Sequence, residues 1–128
     1  MSVNIPEELR FAKSHEWVRV EGNIATVGIS DHAQEELTEL VFIELPEVGR
    51  ELEQEEACAV VESVKTASDI YSPLTGKVVA ANEPVSENAG IVNDEPYDGG
   101  WLFKLEISDA DELDGLLTAE QYRGQINA

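Results

Sequence analysis

Residues 57–82 read Ala57-Cys58-Ala59-Val60-Val61-Glu62-Ser63-Val64-Lys65-Thr66-Ala67-Ser68-Asp69-Ile70-Tyr71-Ser72-Pro73-Leu74-Thr75-Gly76-Lys77-Val78-Val79-Ala80-Ala81-Asn82. Two strand-like runs, Ala57 to Val64 and Ala67 to Ser72, abut with hardly any loop, and a third, Lys77 to Asn82, follows the turn signal Pro73-Leu74-Thr75-Gly76. Runs of small and β-branched residues bounded by Pro and Gly read as strands. With Lys65 and Thr66 as the central pair of a tight hairpin, counting sets Val64 opposite Ala67, Ser63 opposite Ser68 and Glu62 opposite Asp69. Such a hairpin is unusual in two ways. The favoured two-residue turns take Asn-Gly or Asp-Gly because they need positive φ, whereas Lys-Thr points to a type I bend, which needs none. Glu62 facing Asp69 also places like charges across the strands, at a cost of about a few tenths of a kcal/mol. Fold stability alone selects neither feature. A lysine raised on a stiff turn in front of carboxylates reads as a target for a modifying enzyme; the alternative is an exposed loop lysine that softens the Glu62–Asp69 repulsion.

Outward from this hairpin the chain continues as short strands. Glu16 to Val20 and Ile24 to Ile29 flank Gly22-Asn23 and predict a second hairpin. Ser30-Asp31 opens a short helix with early acids and a Gln three residues after Asp31. Val41 to Leu45 and Trp101 to Ile107 complete the β content, and Glu83 to Gly100, with two prolines and three glycines, reads as a long irregular loop. Ser108 with Asp111 resembles a capping pair ahead of Leu113, Leu116 and Leu117 on one helical face, and Thr118 with Gln121 forms a second capping box before Tyr122. The expected fold is mainly β, a flattened barrel or sandwich with short peripheral helices and a C-terminal helix. One domain over 1–128 is expected, with a core at about 16–107 and a helical C-terminal segment at about 109–123. Trp17, Phe42, Trp101 and Phe103 are expected in the core, and Cys58 as a small buried residue.

The charge is the unusual part of the composition: eight Lys and Arg against 27 Asp and Glu give a net charge of −19. Such a surface repels nucleic-acid phosphate and anionic lipid. It keeps a small protein soluble and monomeric, and it attracts partners with basic patches. A lone cysteine rules out an internal disulfide framework and a multi-cysteine metal site. His15 and His32 lack metal-ligand spacing. The stretch Met1 to Glu8 has neither a basic leader nor an Arg-rich amphipathic pattern, so the expected compartment is a reducing, prokaryotic cytoplasm.

Glu62-Ser63-Val64-Lys65-Thr66-Ala67-Ser68-Asp69 closely resembles the lipoyl-attachment segment of the glycine cleavage system H-protein family. Four further stretches resemble that family in the same order: Ser14-His15-Glu16-Trp17, Gly28-Ile29-Ser30-Asp31-His32-Ala33-Gln34, Val41-Phe42-Ile43-Glu44-Leu45-Pro46 and Asp98-Gly99-Gly100-Trp101. Gly49, 16 residues before Lys65, and Gly76, 11 after it, resemble the glycines that frame the modified hairpin of lipoyl and biotinyl domains. Biotinyl carriers, the nearest rival, usually set their lysine between methionines, whereas Val64 and Thr66 flank Lys65.

The resemblance implies a barrel-sandwich hybrid (hammerhead) fold and a carrier rather than an enzyme, with lipoate in amide linkage on Lys65. It implies the family's cycle: a pyridoxal-phosphate P protein loads an aminomethyl group, a T protein passes the one-carbon unit to tetrahydrofolate, and a flavin-containing L protein reoxidises the dithiol. It further implies a lipoate-attaching enzyme that recognises Glu62, Ser63 and Asp69, and a cleft, holding Glu16 and more weakly His32 and Asp69, that shelters the loaded arm. Two alternatives stay open at this level, a donor of lipoyl or octanoyl groups to other enzymes and an unmodified acidic binding module of the same fold.

Overall fold

The computed structural model describes residues 4–126; residues 1–3 of the N-terminal stretch read above lie outside them. In chain order the strands are β1 (Arg10–Phe11), β2 (Glu16–Glu21), β3 (Ile24–Ile29), β4 (Leu40–Glu44), β5 (Glu51–Leu52), β6 (Ala57–Ser63), β7 (Ala67–Tyr71), β8 (Gly76–Ala81), β9 (Phe103–Ile107) and β10 (Leu117–Thr118). The α-helices are α1 (Asp31–Leu37), α2 (Glu83–Glu87), α3 (Gly90–Asp94) and α4 (Ala119–Ile126), and a 3-10 helix covers Ala110–Gly115. One sheet runs β10-β1-β2-β3-β9-β8-β5 and the other β4-β6-β7, with antiparallel pairing in both. The mainly β architecture with peripheral helices and a C-terminal helix is the one expected.

Alternation along the strands builds the core. Val18, Val27, Val78 and Leu105 of the large sheet share one apolar cluster with Ile43, Val61 and Ile70 of the small one. Each such side chain contributes about 1.5–3 kcal/mol on full burial. A second cluster holds Ile5, Leu9, Phe11, Trp17, Tyr97 and Tyr122, so the N-terminal segment and α4 cover the β1–β2 end. Trp17 is fully buried, its Nε1 donates to the Pro96 carbonyl at 2.9 Å, and a Cβ at Gly28 would sit 2.7 Å from its ring. Cys58 and Phe103 are buried as expected, and Trp101 is partly buried.

Several expectations are corrected. The hairpin register is displaced: Glu62 faces Ala67, Val61 faces Ser68 and Val60 faces Asp69. Ser63 N–H donates to Thr66 O at 2.7 Å, so Val64 and Lys65, not Lys65 and Thr66, occupy the bend. Glu62 and Asp69 share a face as diagonal neighbours, and the direct repulsion inferred from the sequence is absent. No residue of the bend has positive φ, as a type I geometry requires.

Phe42 stands 47% exposed rather than in the core. A bulge between Leu40 and Phe42 puts both Val41 and Phe42 at the surface between the buried Leu40 and Ile43. The long loop contains α2 and α3, because Pro84 starts a helix rather than breaking one, and Val85 and Val92 anchor the two turns in the core. Near the end, Leu113, Leu116 and Leu117 do not share a helix. Leu117 pairs with Phe11 across β1–β10 and Arg10 donates to the Leu113 carbonyl at 3.2 Å, so tertiary strand pairing overrides the helical spacing. Asp109, not Ser108, caps the 3-10 helix through Asp111 N–H. The Thr118–Gln121 capping box forms reciprocally, at 2.9 and 3.2 Å.

The framing glycines serve different ends. Gly49 has φ of 98°, a turn requirement, whereas Gly76 opens β8, where a Cβ would clash with the Glu106 carbonyl oxygen. Gly76→Ala is expected to destabilise the protein by about 1–3 kcal/mol in denaturant unfolding, because the clash is with backbone that cannot rotate away.

Candidate functional site

Lys65 stands exposed at the apex of the β6–β7 turn. Without glycine or positive φ, the bend is closed by a side chain: the Ser63 hydroxyl accepts from Lys65 N–H at 3.3 Å and Thr66 N–H at 3.2 Å, and donates to Thr66 O at 3.2 Å. Val64 N–H donates to the Glu39 carbonyl at 3.2 Å, tying the bend to the segment before β4. Ser63 is itself buried, so it acts by shaping the turn from below.

Beside the turn lies a cleft of about 330 Å³ lined by Lys65, Thr66, Ser68 and Asp69 from the hairpin, Ser14 and His15 from the β1–β2 connection, and Ala33, Glu36 and Leu37 from α1. Ser30 positions α1, its side chain accepting from Ala33 N–H at 3.1 Å. His15 has φ of 83°, a left-handed conformation that histidine tolerates better than most residues. Its Nδ1 lies 2.7 Å from the Tyr122 hydroxyl, which lies 2.6 Å from Ser30 Oγ, so α4 props this wall. Burial, and then the adjacent His32, hold the His15 pKa below the usual histidine value, which leaves the ring neutral at pH 7.

The structure thus unites Lys65, Ser63 and Asp69 around one turn, with Glu62 half-buried one row below. Glu16 and His32 adjoin this cleft without lining it. Glu16 is 1% exposed; it accepts from the Ser14 hydroxyl and, at 2.9 Å, from Tyr71 N–H, so it lies one hydroxyl behind the cleft. As the first residue of β2 it points between the sheets, and burial raises its pKa to about 7 against hydrogen bonds, first that from Ser14, which lower it. His32 sits beside His15, ring centroids 5.1 Å apart, with Nε2 3.6 Å from Glu36 Oε1. His15 and Glu36 were not singled out for the cleft from the sequence. The spacing of Ala33, Glu36 and Leu37, one face of a helix, carried that signal for Glu36. Cys58, buried with its thiol pKa pushed up to about 12, is chemically quiet.

The sequence profile described as Glycine cleavage H-protein matches residues 9–128. The chain belongs to the glycine cleavage H-protein family. It is 56% identical to the glycine cleavage system H protein of Alcanivorax borkumensis over 97% of both chains, and 54% identical to that of Anoxybacillus flavithermus over 98% of both. The crystal structure of a glycine cleavage system H protein from Mycobacterium marinum superposes with a TM-score of 0.90 at 35% identity, covering 97% of this chain and all of that one. The barrel-sandwich fold expected of the family is the fold found. No helix among the described residues is long and apolar enough to cross a membrane.

Glu16 makes stability depend on pH. Its pKa is about 7 in the fold, against an ordinary 4.5. The folded state therefore holds the proton longer, and this contribution, full below about pH 4.5, fades as pH rises to about 7. The loss over that window is on the order of 3 kcal/mol. Glu16→Gln is expected to gain on wild type across the same window and then run parallel, in denaturant unfolding measured from pH 4 to 9.

Proposed function

We propose that Lys65 carries lipoate in amide linkage and that the chain is the carrier of the glycine cleavage system, not itself an enzyme. The observation that carries this reading is the exposed Lys65 on a side-chain-closed turn, opening onto a cleft large enough for a small group. Acylation removes the lysine charge and extends the reach to about 12–15 Å. The dithiolane at the tip, a strained disulfide, accepts nucleophiles and electrons readily. Tethering then keeps one cargo at high local concentration in each complex it visits. The partners would be the P protein, the T protein, the L protein and a lipoate-attaching enzyme, in a prokaryotic cytoplasm, with the chain acting as a single-domain monomer. Within lipoylation, Ser63 sets the turn shape while Glu62 and Asp69 give the attaching enzyme acidic landmarks.

An S-aminomethyl adduct hydrolyses in water, so the loaded arm benefits from shelter. Its amine is cationic near neutral pH. Asp69 and Glu36 on the cleft wall are carboxylates within its surroundings, and Glu16 joins them once Ser14 yields its hydrogen bond. An arriving cation favours the ionised form of Glu16, opposing the effect of burial. His32 contributes indirectly, through Glu36 and His15.

Two outcomes test the reading. Expressed in a lipoate-competent cell, the chain gains the mass of one lipoyl group at Lys65 by peptide mapping, and Lys65→Arg gains none and supports no glycine decarboxylation with purified P, T and L proteins. Wild-type activity in the arginine variant rejects the reading. Once loaded, Asp69→Asn and Glu16→Ala release methylamine several-fold faster than wild type in a direct assay of the adduct; an unchanged release rate removes them from the cleft.

A further inference from the structure

The outer face of the small sheet next to the turn carries apolar surface that the fold leaves uncovered. Phe42, Glu62 and Ala67 form one row across β4, β6 and β7, and Glu44, Val60 and Asp69 form the next. Val41 and Phe42 are 55% and 47% exposed, and Val64, beside Lys65, is 68% exposed. Leu40 pairs with Ser63 and Val64 N–H donates to Glu39 O, so the chain segments carrying Val41, Phe42 and Val64 run side by side at the turn. The exposed acids Glu39, Glu44 and Asp69 rim the patch.

We propose that Val41, Phe42 and Val64 form the docking surface for the enzyme that acylates Lys65, an enzyme presenting an apolar patch ringed by basic residues. The proposal rests on the reading of Lys65 given above. Reach decides the occupant. A lysine side chain spans only about 6 Å, so the acylating enzyme has to sit on the turn itself, whereas enzymes that use the finished arm meet its tip about 12–15 Å out. The reaction joins Lys65 Nζ to the carbonyl carbon of an activated acyl group such as an acyl adenylate. The bond from that carbon to the phosphate oxygen breaks, the nucleotide leaves, and the lysine ammonium gives up two protons to solvent. Exposed aromatic and aliphatic anchors inside a charged rim are the usual makeup of a protein interface. The acidic rim selects a basic partner.

The test follows the rate at which a purified lipoate–protein ligase, with lipoate and ATP, raises the intact mass of the apo chain. Val41→Thr with Phe42→Thr keeps strand propensity at exposed positions and is expected to lower the second-order loading rate about tenfold. Phe42→Thr alone falls between this and wild type, and Phe42→Leu restores most of the rate. Val48→Ser, 63% exposed elsewhere on the surface, stays within twofold of wild type. After exhaustive loading, reduction of the arm by dihydrolipoamide dehydrogenase and NADH proceeds at the wild-type rate in every variant. Loading of the double variant within twofold of wild type at unchanged thermal stability overturns the docking surface, as does an equal loss in Val48→Ser. Should the double variant unfold, Phe42→Thr alone decides by the same criterion. A wild-type chain that gains no mass overturns the reading of Lys65 and the surface with it.

Discussion

The Ser63 hydroxyl is the contact on which the presentation of Lys65 depends. A tight hairpin with Val64 and Lys65 at its centre has no glycine to relax the bend, and the N–H groups of Lys65 and Thr66 point into it. One hydroxyl answers both and returns its own hydrogen to Thr66 O. The turn is thereby held without any positive φ. Carbon in place of that oxygen would leave two buried-side donors to find water, at about 1 kcal/mol or more. The lysine above is free to move, but its Cα is not.

At the end of β7 away from the turn, Glu16 joins the two sheets through a buried polar link. It starts β2 in the large sheet and accepts from the backbone of Tyr71 at the end of β7 in the small one. Burial with incomplete compensation raises its pKa to about 7, so the acid form persists well above the usual carboxylate range. A satisfied apolar pair would fill the same space more cheaply. A carboxyl in that position links the packing of the sheets to the Ser14 hydroxyl at the cleft.

How much of this was legible in the sequence differs from element to element. Strand runs with Pro and Gly at their ends gave β2, β3, β6, β7 and β8 close to their true limits, because period and punctuation are local properties. The Thr118–Gln121 cap was legible for the same reason. Register was not. Counting from an assumed bend at Lys65 and Thr66 put Glu62 against Asp69, whereas a side-chain hydrogen bond from Ser63 moved the bend back by one residue. Phe42 escaped because a bulge reverses the face that alternation predicts. Pro84 read as a breaker because the core that receives Val85 and Val92 is built by other elements. Lys65 stands at the apex of the turn that the resemblance singled out, while the places of Glu36 and His15 on the cleft depend on the tertiary fold.

The prop under His15 sets the two parts of the site apart in what they require of the chain. Tyr122 lies 107 residues from His15 and 92 from Ser30, yet its hydroxyl meets both. The lysine hairpin closes through neighbours a few positions apart, whereas the cleft wall needs α4 packed in place. Loosening α4 would therefore strip the cleft of its brace while leaving the contacts that close the turn intact.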